Sequence, residues 1–125
     1  MIEGIKNKVT WSPLKEFNNY NISDIPQVPG IYRLSYKSPS DGKLYVFYIG
    51  KTNNLQQRLS SHLQDTEPNL CIRKMLANYQ CAFRYAQLGI DLIDGAEAFL
   101  INHFRPSCNE SIPQKPTTEI NIDNQ

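Results

Sequence analysis

The sequence contains no long hydrophobic segment and few cysteines. No apolar run approaches the roughly 18 residues that a membrane-spanning helix requires, and the first residues show no signal-peptide pattern. The three cysteines, Cys71, Cys81 and Cys108, are odd in number and lack the spacing of zinc ligands. We therefore expect no membrane association, a reducing, cytoplasmic compartment, and cysteines that serve as small packing residues.

The chain also lacks a strong excess of either charge. Its 125 residues carry 13 basic and 12 acidic side chains, for a formal net charge of +1. Tight, non-specific binding of nucleic acid usually requires a larger basic excess, because affinity comes largely from neutralising phosphates. Composition thus argues mildly against strong stand-alone DNA binding, but it says nothing against catalysis.

Hydrophobic periodicity and turn residues divide the chain into strands and helices. Residues 12–20 indicate a short helix that begins with a proline, and the turn cluster at 38–42 lies between two β-rich stretches, which predicts an antiparallel hairpin. The predicted strands span residues 30–36, 44–50 and 81–88, and the predicted helices span residues 55–64, 69–79 and 91–104.

Arg58 and His62 lie one turn apart in the helix predicted at 55–64. Both fall along one edge of the buried face that Leu55 and Leu59 define. A pocket between the helix and the sheet would open at such an edge. A solvated arginine beside a half-buried histidine would give the same spacing, and spacing alone favours that simpler interpretation.

Glu97 occupies the middle of the apolar arc of the last predicted helix, among residues such as Ile93, Leu100 and Ile101. An ionised carboxylate in a core costs several kcal/mol unless it is paired, so it needs a cation or hydrogen-bond donors. Helical phase leaves two alternatives equally open: a structural pair with an arginine, or a bound metal ion.

The remaining polar residues follow a recognisable order. Tyrosines in strands are usually packing residues, but Tyr32 and Tyr48 stand in Gly30-Ile31-Tyr32 and Tyr48-Ile49-Gly50. Ten residues separate Tyr48 from Arg58, and twelve separate Glu97 from Asn109. With Lys51 and His62, this set resembles the GIY-YIG nuclease family over about residues 28–110.

The resemblance implies a small α/β domain with a central three-stranded antiparallel sheet flanked by helices. It divides the chain into an N-terminal extension at 1–27, the nuclease domain at 28–110, and a polar tail at 111–125 that we expect to be poorly ordered. It also implies a metal-dependent endonuclease that hydrolyses phosphodiester bonds, with one Mg²⁺ or Mn²⁺ held by Glu97 as the one protein ligand.

The resemblance further implies a tyrosine as the general base. Tyr32 is the expected base and Tyr48 is its rival, because the family pattern does not decide between them. The ordinary pKa of tyrosine, about 10, is too high for this role. Nearby cations such as Lys51, or a metal-bound phosphate, would have to acidify the phenol.

The other site residues would bind or position the substrate. Arg58 would clamp the scissile phosphate with its planar donor groups, and Lys51 would also contact substrate. His62 would orient the water or a tyrosine hydroxyl. Asn109 would hydrogen-bond near Glu97 or Tyr32.

Three functions compete at this point. An active endonuclease is favoured because no site position is missing. A weak or inactive nucleic-acid-binding module that depends on a protein partner is motivated by the near-neutral charge. A domain in which Glu97 and Arg58 form only a structural salt bridge is the third. We expect DNA as the ligand, with RNA still open, and a monomer or weak dimer.

Overall fold

Eight helices and strands make up the described part of the chain. The computed structural model describes residues 7–113 and 118–122, and the expectations for residues 1–6, 114–117 and 123–125 lie outside it. The elements are β1 (Lys15–Glu16), α1 (Asn19–Ile22), β2 (Gly30–Lys37), β3 (Leu44–Thr52), α2 (Leu55–His62), α3 (Leu70–Asn78), β4 (Cys81–Gln87) and α4 (Ile93–Phe104). Of the helices described, none is long and apolar enough to cross a membrane.

The strands form one antiparallel sheet in the order β1-β4-β2-β3. The predicted hairpin is confirmed as β2 and β3, with a register shift between Leu34 and Ser35. The sheet has four strands rather than the expected three, because β1 pairs with the free edge of β4. A two-residue strand is too short to show the alternation by which strands are recognised in a sequence.

The helix expected from residues 12–20 begins later than predicted. Asn18 caps α1, since its side chain accepts a 2.8 Å hydrogen bond from the Asn21 N–H. Ser12 is instead bound to β4: its N–H donates to the Tyr85 carbonyl over 2.7 Å. Pairing with the sheet edge thus overrides the local signal that Ser12-Pro13 carries.

The helices cover both faces of the sheet, and strand alternation sends neighbouring residues to opposite sides. On one face, Tyr32 and Phe47 share a core with Leu55 and Leu59 of α2. On the other face, residues such as Ile31 pack against the apolar side of α4. The sheet therefore separates the two helices from which the predicted site residues come.

The end of the described chain returns to the domain. Ile120 is buried, and Asn121 both accepts from and donates to the backbone of Val9, over 2.7 and 2.9 Å. The Trp11 indole also donates to the Asn121 carbonyl. Residues 118–122 of the expected polar tail thus pack against the domain, where Ile120 and Ile122 interrupt an otherwise polar sequence.

A disulfide joins Cys71, in the first turn of α3, to Cys108, just before Asn109. The Cα atoms lie 5.3 Å apart although the two cysteines are 37 residues apart in sequence. Cys81 is buried and does not take part in a disulfide. The expectation of three unpaired packing cysteines is therefore wrong for two of them, because folding brings together residues whose spacing carries no local signal.

Replacing Cys71 and Cys108 together by serine should lower the free energy of unfolding by about 2–4 kcal/mol. Closing a loop of this length in the unfolded chain contributes on the order of 4 kcal/mol in the chain-entropy account. Urea unfolding of the oxidised protein, with and without a reductant, measures the effect. The reductant should lower the free energy of unfolding of wild type and leave that of the double variant unchanged. A wild type whose unfolding free energy is also unchanged by the reductant would contradict the prediction.

Candidate active site at the edge of the sheet

The predicted site residues lie on both sides of β3, which is an edge strand. Tyr48 and Tyr32 occupy the face that α2 covers, together with the cluster that contains Leu55. Lys51 points to the opposite face, where it meets the side chains of Asp94 and Glu97 on α4. The site thus consists of a tyrosine side and a carboxylate side that meet across one strand.

Two glycines allow this close packing. A Cβ on Gly50 would lie 2.1 Å from Cζ of Tyr32, so the tyrosine ring rests directly on the backbone of β3. A Cβ on Gly30 would lie 2.3 Å from the Ala86 carbonyl oxygen and 2.7 Å from a methyl of Leu55. Any side chain at either position would push β2, β3 or α2 apart.

On the tyrosine side, Tyr32, His62 and Glu67 form a continuous, buried chain of hydrogen bonds. The Tyr32 hydroxyl lies 2.7 Å from His62 Nε2, and His62 Nδ1 lies 2.5 Å from Glu67 Oε1. The other carboxylate oxygen of Glu67 accepts a 2.8 Å hydrogen bond from the Asn69 N–H. All three members are at most 2% exposed. Glu67 was not predicted, because it lies in an irregular segment where no periodicity indicates burial.

Arg58 lies beside this chain, as the helical spacing predicted. Its Nη1 donates to the Ser61 hydroxyl over 3.0 Å. Burial raises the pKa values of Tyr32 and Tyr48 and lowers that of His62; the charge of Arg58 opposes the rise at the tyrosines and adds to the fall at His62. The half-buried guanidinium therefore sits close to both tyrosine hydroxyls and the imidazole.

Burial nevertheless determines the protonation of the two tyrosines. Desolvation raises the pKa of Tyr32 far above its ordinary value and raises that of Tyr48 as well, despite the opposing effect of Arg58. The expected acidification by Lys51 is absent, because Lys51 pairs with carboxylates on the opposite face. Both phenols are therefore protonated in the protein alone.

The two tyrosines differ in access to solvent. Tyr32 is 0% exposed and its hydroxyl is engaged by His62, whereas Tyr48 is only partly buried. The Tyr48 ring packs edge-on against His62, with centroids 5.4 Å apart. Of the two tyrosines, Tyr48 is therefore the more accessible to solvent.

On the carboxylate side, Glu97 is half-buried rather than enclosed in the core. Its side chain is 22% exposed and lies 3.7 Å from Lys51 Nζ, which also contacts Asp94 at 2.5 Å. Burial raises the pKa of Glu97, and Lys51 opposes that shift. Helical phase correctly predicted that Glu97 lies on the sheet-facing side of α4, but it did not predict how far the side chain is buried. Glu97 is only half-buried because it lies where α4 passes the sheet edge.

The salt bridge between Arg58 and Glu97 is not formed among the described residues: Glu97 pairs with Lys51, and Arg58 Nη1 donates to the Ser61 hydroxyl. Within the same residues, no group of three or more His, Cys, Asp or Glu side chains could hold a metal ion. The half-buried carboxylate of Glu97 already faces the Lys51 ammonium group. It therefore fits a divalent cation that has one protein ligand and whose other ligands are water and phosphate oxygens.

Asn109 binds the backbone of β3. Its Oδ1 accepts from the Ile49 N–H and its Nδ2 donates to the Ile49 carbonyl, each over 2.9 Å. The Cys108 N–H also donates to the Phe47 carbonyl. We expected a hydrogen bond near Glu97 or Tyr32, and the structure shows a clamp on the residue between Tyr48 and Gly50. An edge strand leaves such backbone groups without a strand partner.

The chain is similar to proteins of one known family. A sequence profile described as the GIY-YIG catalytic domain matches residues 28–110. A segment of 53 residues, 42% of the chain, is 40% identical to UvrABC system protein C of Aromatoleum aromaticum, but the match spans only 8% of that protein.

Solved structures of the GIY-YIG N-terminal endonuclease domain of UvrC from Thermotoga maritima share the fold. A point mutant bound to the catalytic divalent cation is 23% identical, with a TM-score of 0.57 over 74% of this chain and 93% of that one. The magnesium-bound domain is 24% identical, with a TM-score of 0.55 over 72% of this chain and 92% of that one.

Replacing Asn109 by alanine should loosen β3 at Ile49. The change removes two hydrogen bonds, and we expect a loss of about 1–3 kcal/mol in unfolding free energy. It should also speed amide exchange at Ile49 more than at the β2 amides of the same sheet. NMR-detected hydrogen exchange measures this, and unchanged protection at Ile49 would contradict the clamp.

Proposed function

The chain belongs to the GIY-YIG nuclease family, and we propose that it is a metal-dependent endonuclease that cuts phosphodiester bonds in DNA. The observation that carries the proposal is the meeting of Tyr48, Arg58 and Glu97 around one edge strand. A phosphate placed there would find donors on one face of β3 and a carboxylate on the other.

We assign the general base to Tyr48 rather than to Tyr32. A base must reach the water that attacks phosphorus, and the Tyr32 hydroxyl is buried and engaged by His62. Tyr48 is partly exposed, and Arg58 opposes the rise of its pKa. A phosphate bound between Tyr48 and Arg58 would leave Tyr48 next to the attacking water. Because Tyr48 is protonated in the protein alone, it would first release its own proton to solvent and then accept the proton of that water.

Arg58 and Lys51 are the proposed substrate-binding cations. Arg58 has guanidinium donors beyond the one bound to Ser61, and a planar donor group suits two phosphate oxygens at once. Lys51 is 41% exposed, so it can exchange a carboxylate contact for a phosphate. Both side chains would neutralise charge that develops as the bond to the leaving 3′ oxygen breaks.

Glu97 would hold the divalent cation, Mg²⁺ or Mn²⁺. When bound, such an ion stabilises negative charge on the phosphate oxygens. Asn109 keeps the strand that carries Tyr48 and Lys51 in place by binding Ile49 on both backbone groups. The endonuclease domains with this fold are described as bound to a catalytic divalent cation, magnesium in one of them, which supports the assignment.

We propose DNA as the substrate and DNA repair or recombination as the setting, in line with the relatives named as UvrC. A protein partner would supply much of the DNA affinity, because the chain carries a net charge of only +1. The same observation favours a second candidate, a binding module that is weak or inactive without its partner.

Nicking of supercoiled plasmid tests the activity, since one active site cuts one strand. We expect nicked product with Mg²⁺ or Mn²⁺ and none with EDTA. Glu97→Gln and Arg58→Ala should each lower the rate about 10²-fold or more. Glu16→Gln and Arg73→Ala, which remove the same groups elsewhere on the surface, are the matched controls.

The two tyrosines can be separated in the same assay. Tyr48→Phe should lower the rate by about 10²- to 10⁴-fold, and Tyr32→Phe should lower it less, with Tyr45→Phe as an unaffected control. Equal rates for wild type, Glu97→Gln and Arg58→Ala would overturn the nuclease assignment. Metal-independent binding of DNA without turnover would support the second candidate.

A further inference from the structure

The hydrogen bonds that link Glu67, His62 and Tyr32 run in one donor-to-acceptor direction, and the backbone N–H of Asn69 fixes that direction. The Asn69 N–H can only donate, and it donates to Glu67 Oε2. An ionised carboxylate can only accept, so Glu67 Oε1 requires a proton on His62 Nδ1. A neutral imidazole carries one proton, which leaves Nε2 as an acceptor. The Tyr32 hydroxyl must then donate to Nε2.

We propose that Glu67 is a positioning residue of the active site, which holds His62 in the tautomer protonated at Nδ1 and thereby orients the Tyr32 hydroxyl. The Tyr32 oxygen, having donated its proton toward His62, presents its lone pairs to the neighbouring Arg58 and Tyr48. This arrangement keeps an acceptor beside the proposed base and the phosphate clamp. The catalytic part of this inference rests on the proposed nuclease function, and the tautomer rests on geometry alone.

Two features support the neutral form of His62. Burial, together with the charge of Arg58, lowers the pKa of His62 below its usual value of 6.5, although Glu67 opposes the shift. The imidazole also packs against both tyrosine rings, with centroids 5.5 Å from Tyr32 and 5.4 Å from Tyr48. An imidazolium would have to lose its hydration in this enclosed position.

Glu67 also stabilises the turn before α3, and the test must separate this structural role from the positioning of His62. Asn69, which donates to Glu67, caps α3 through its side-chain oxygen and donates to the Cys108 carbonyl over 3.1 Å. A loss of Glu67 could therefore disturb the turn before α3. The measurement must report on His62 itself and not only on stability or activity.

Nitrogen-15 NMR of the imidazole reads the tautomer without substrate or metal. The sequence contains two histidines, so His103→Gln, a change at an exposed position, leaves His62 as the single signal. We expect a neutral ring protonated at Nδ1 at pH 7.5. A ring protonated at Nε2, or an imidazolium, would overturn the proposal even if no variant of Glu67 folds.

Glu67→Gln should reverse the tautomer. Glutamine has one acceptor and one donor group, and the Asn69 N–H requires the acceptor. The amide NH₂ would then face His62 Nδ1, which must become an acceptor and send its proton to Nε2. Asp65→Asn, an exposed change of the same kind nearby, should leave the tautomer unchanged. An unaltered tautomer in folded Glu67→Gln would overturn the proposal.

The catalytic consequence is measured separately. Glu67→Gln should lower kcat about 10- to 100-fold, a usual range for groups that orient a site residue, with little change in KM because Arg58 and Glu97 keep their positions. Asp65→Asn should cut like wild type. A reversed tautomer with unchanged kcat would overturn the positioning role. If the wild type cuts no DNA, the nuclease proposal fails, and the imidazole signal still decides the tautomer.

Discussion

A carboxylate with almost no access to water organises this protein, because both oxygens of Glu67 must find donors inside the fold. One oxygen accepts from His62, which leads to Tyr32 on β2. The other accepts from Asn69, whose side chain reaches the Cys108 carbonyl beside the clamp on β3. Two hydrogen-bonded routes from this one buried side chain therefore end on adjacent strands of the site.

The edge position of β3 explains how a small sheet can hold groups of opposite chemistry. Alternation along the strand sends Tyr48 to the α2 face and Lys51 to the α4 face. Gly50 pairs with Tyr32 across the two strands, and only a missing side chain lets the Tyr32 ring approach the backbone there. In the described part of the chain, no further strand pairs with the outer edge of β3. The Asn109 side chain instead binds the backbone N–H and carbonyl of Ile49 at that edge and holds the strand in place.

Local patterns predicted most of this fold but not its long-range contacts. The strand and helix periods placed β2, β3, β4 and α2 to α4 within a few residues, and the motif spacing indicated the candidate site residues that lie around β3. The pairing of β1, the return of Ile120 to the core and the Cys71–Cys108 bond depend on neighbours far apart in sequence. Glu67 was missed for the same reason, and helical phase could not tell that Glu97 lies at the rim.

In the site that we propose, Glu97 is the residue that holds the metal ion. The most direct measurement is a Mn²⁺ titration of the full chain, followed by electron paramagnetic resonance, for wild type and Glu97→Gln in parallel. Near saturation, wild type should bind one equivalent of Mn²⁺ and so remove it from the free-ion signal, and Glu97→Gln should bind almost none. Equal Mn²⁺ binding by the two proteins would contradict this assignment.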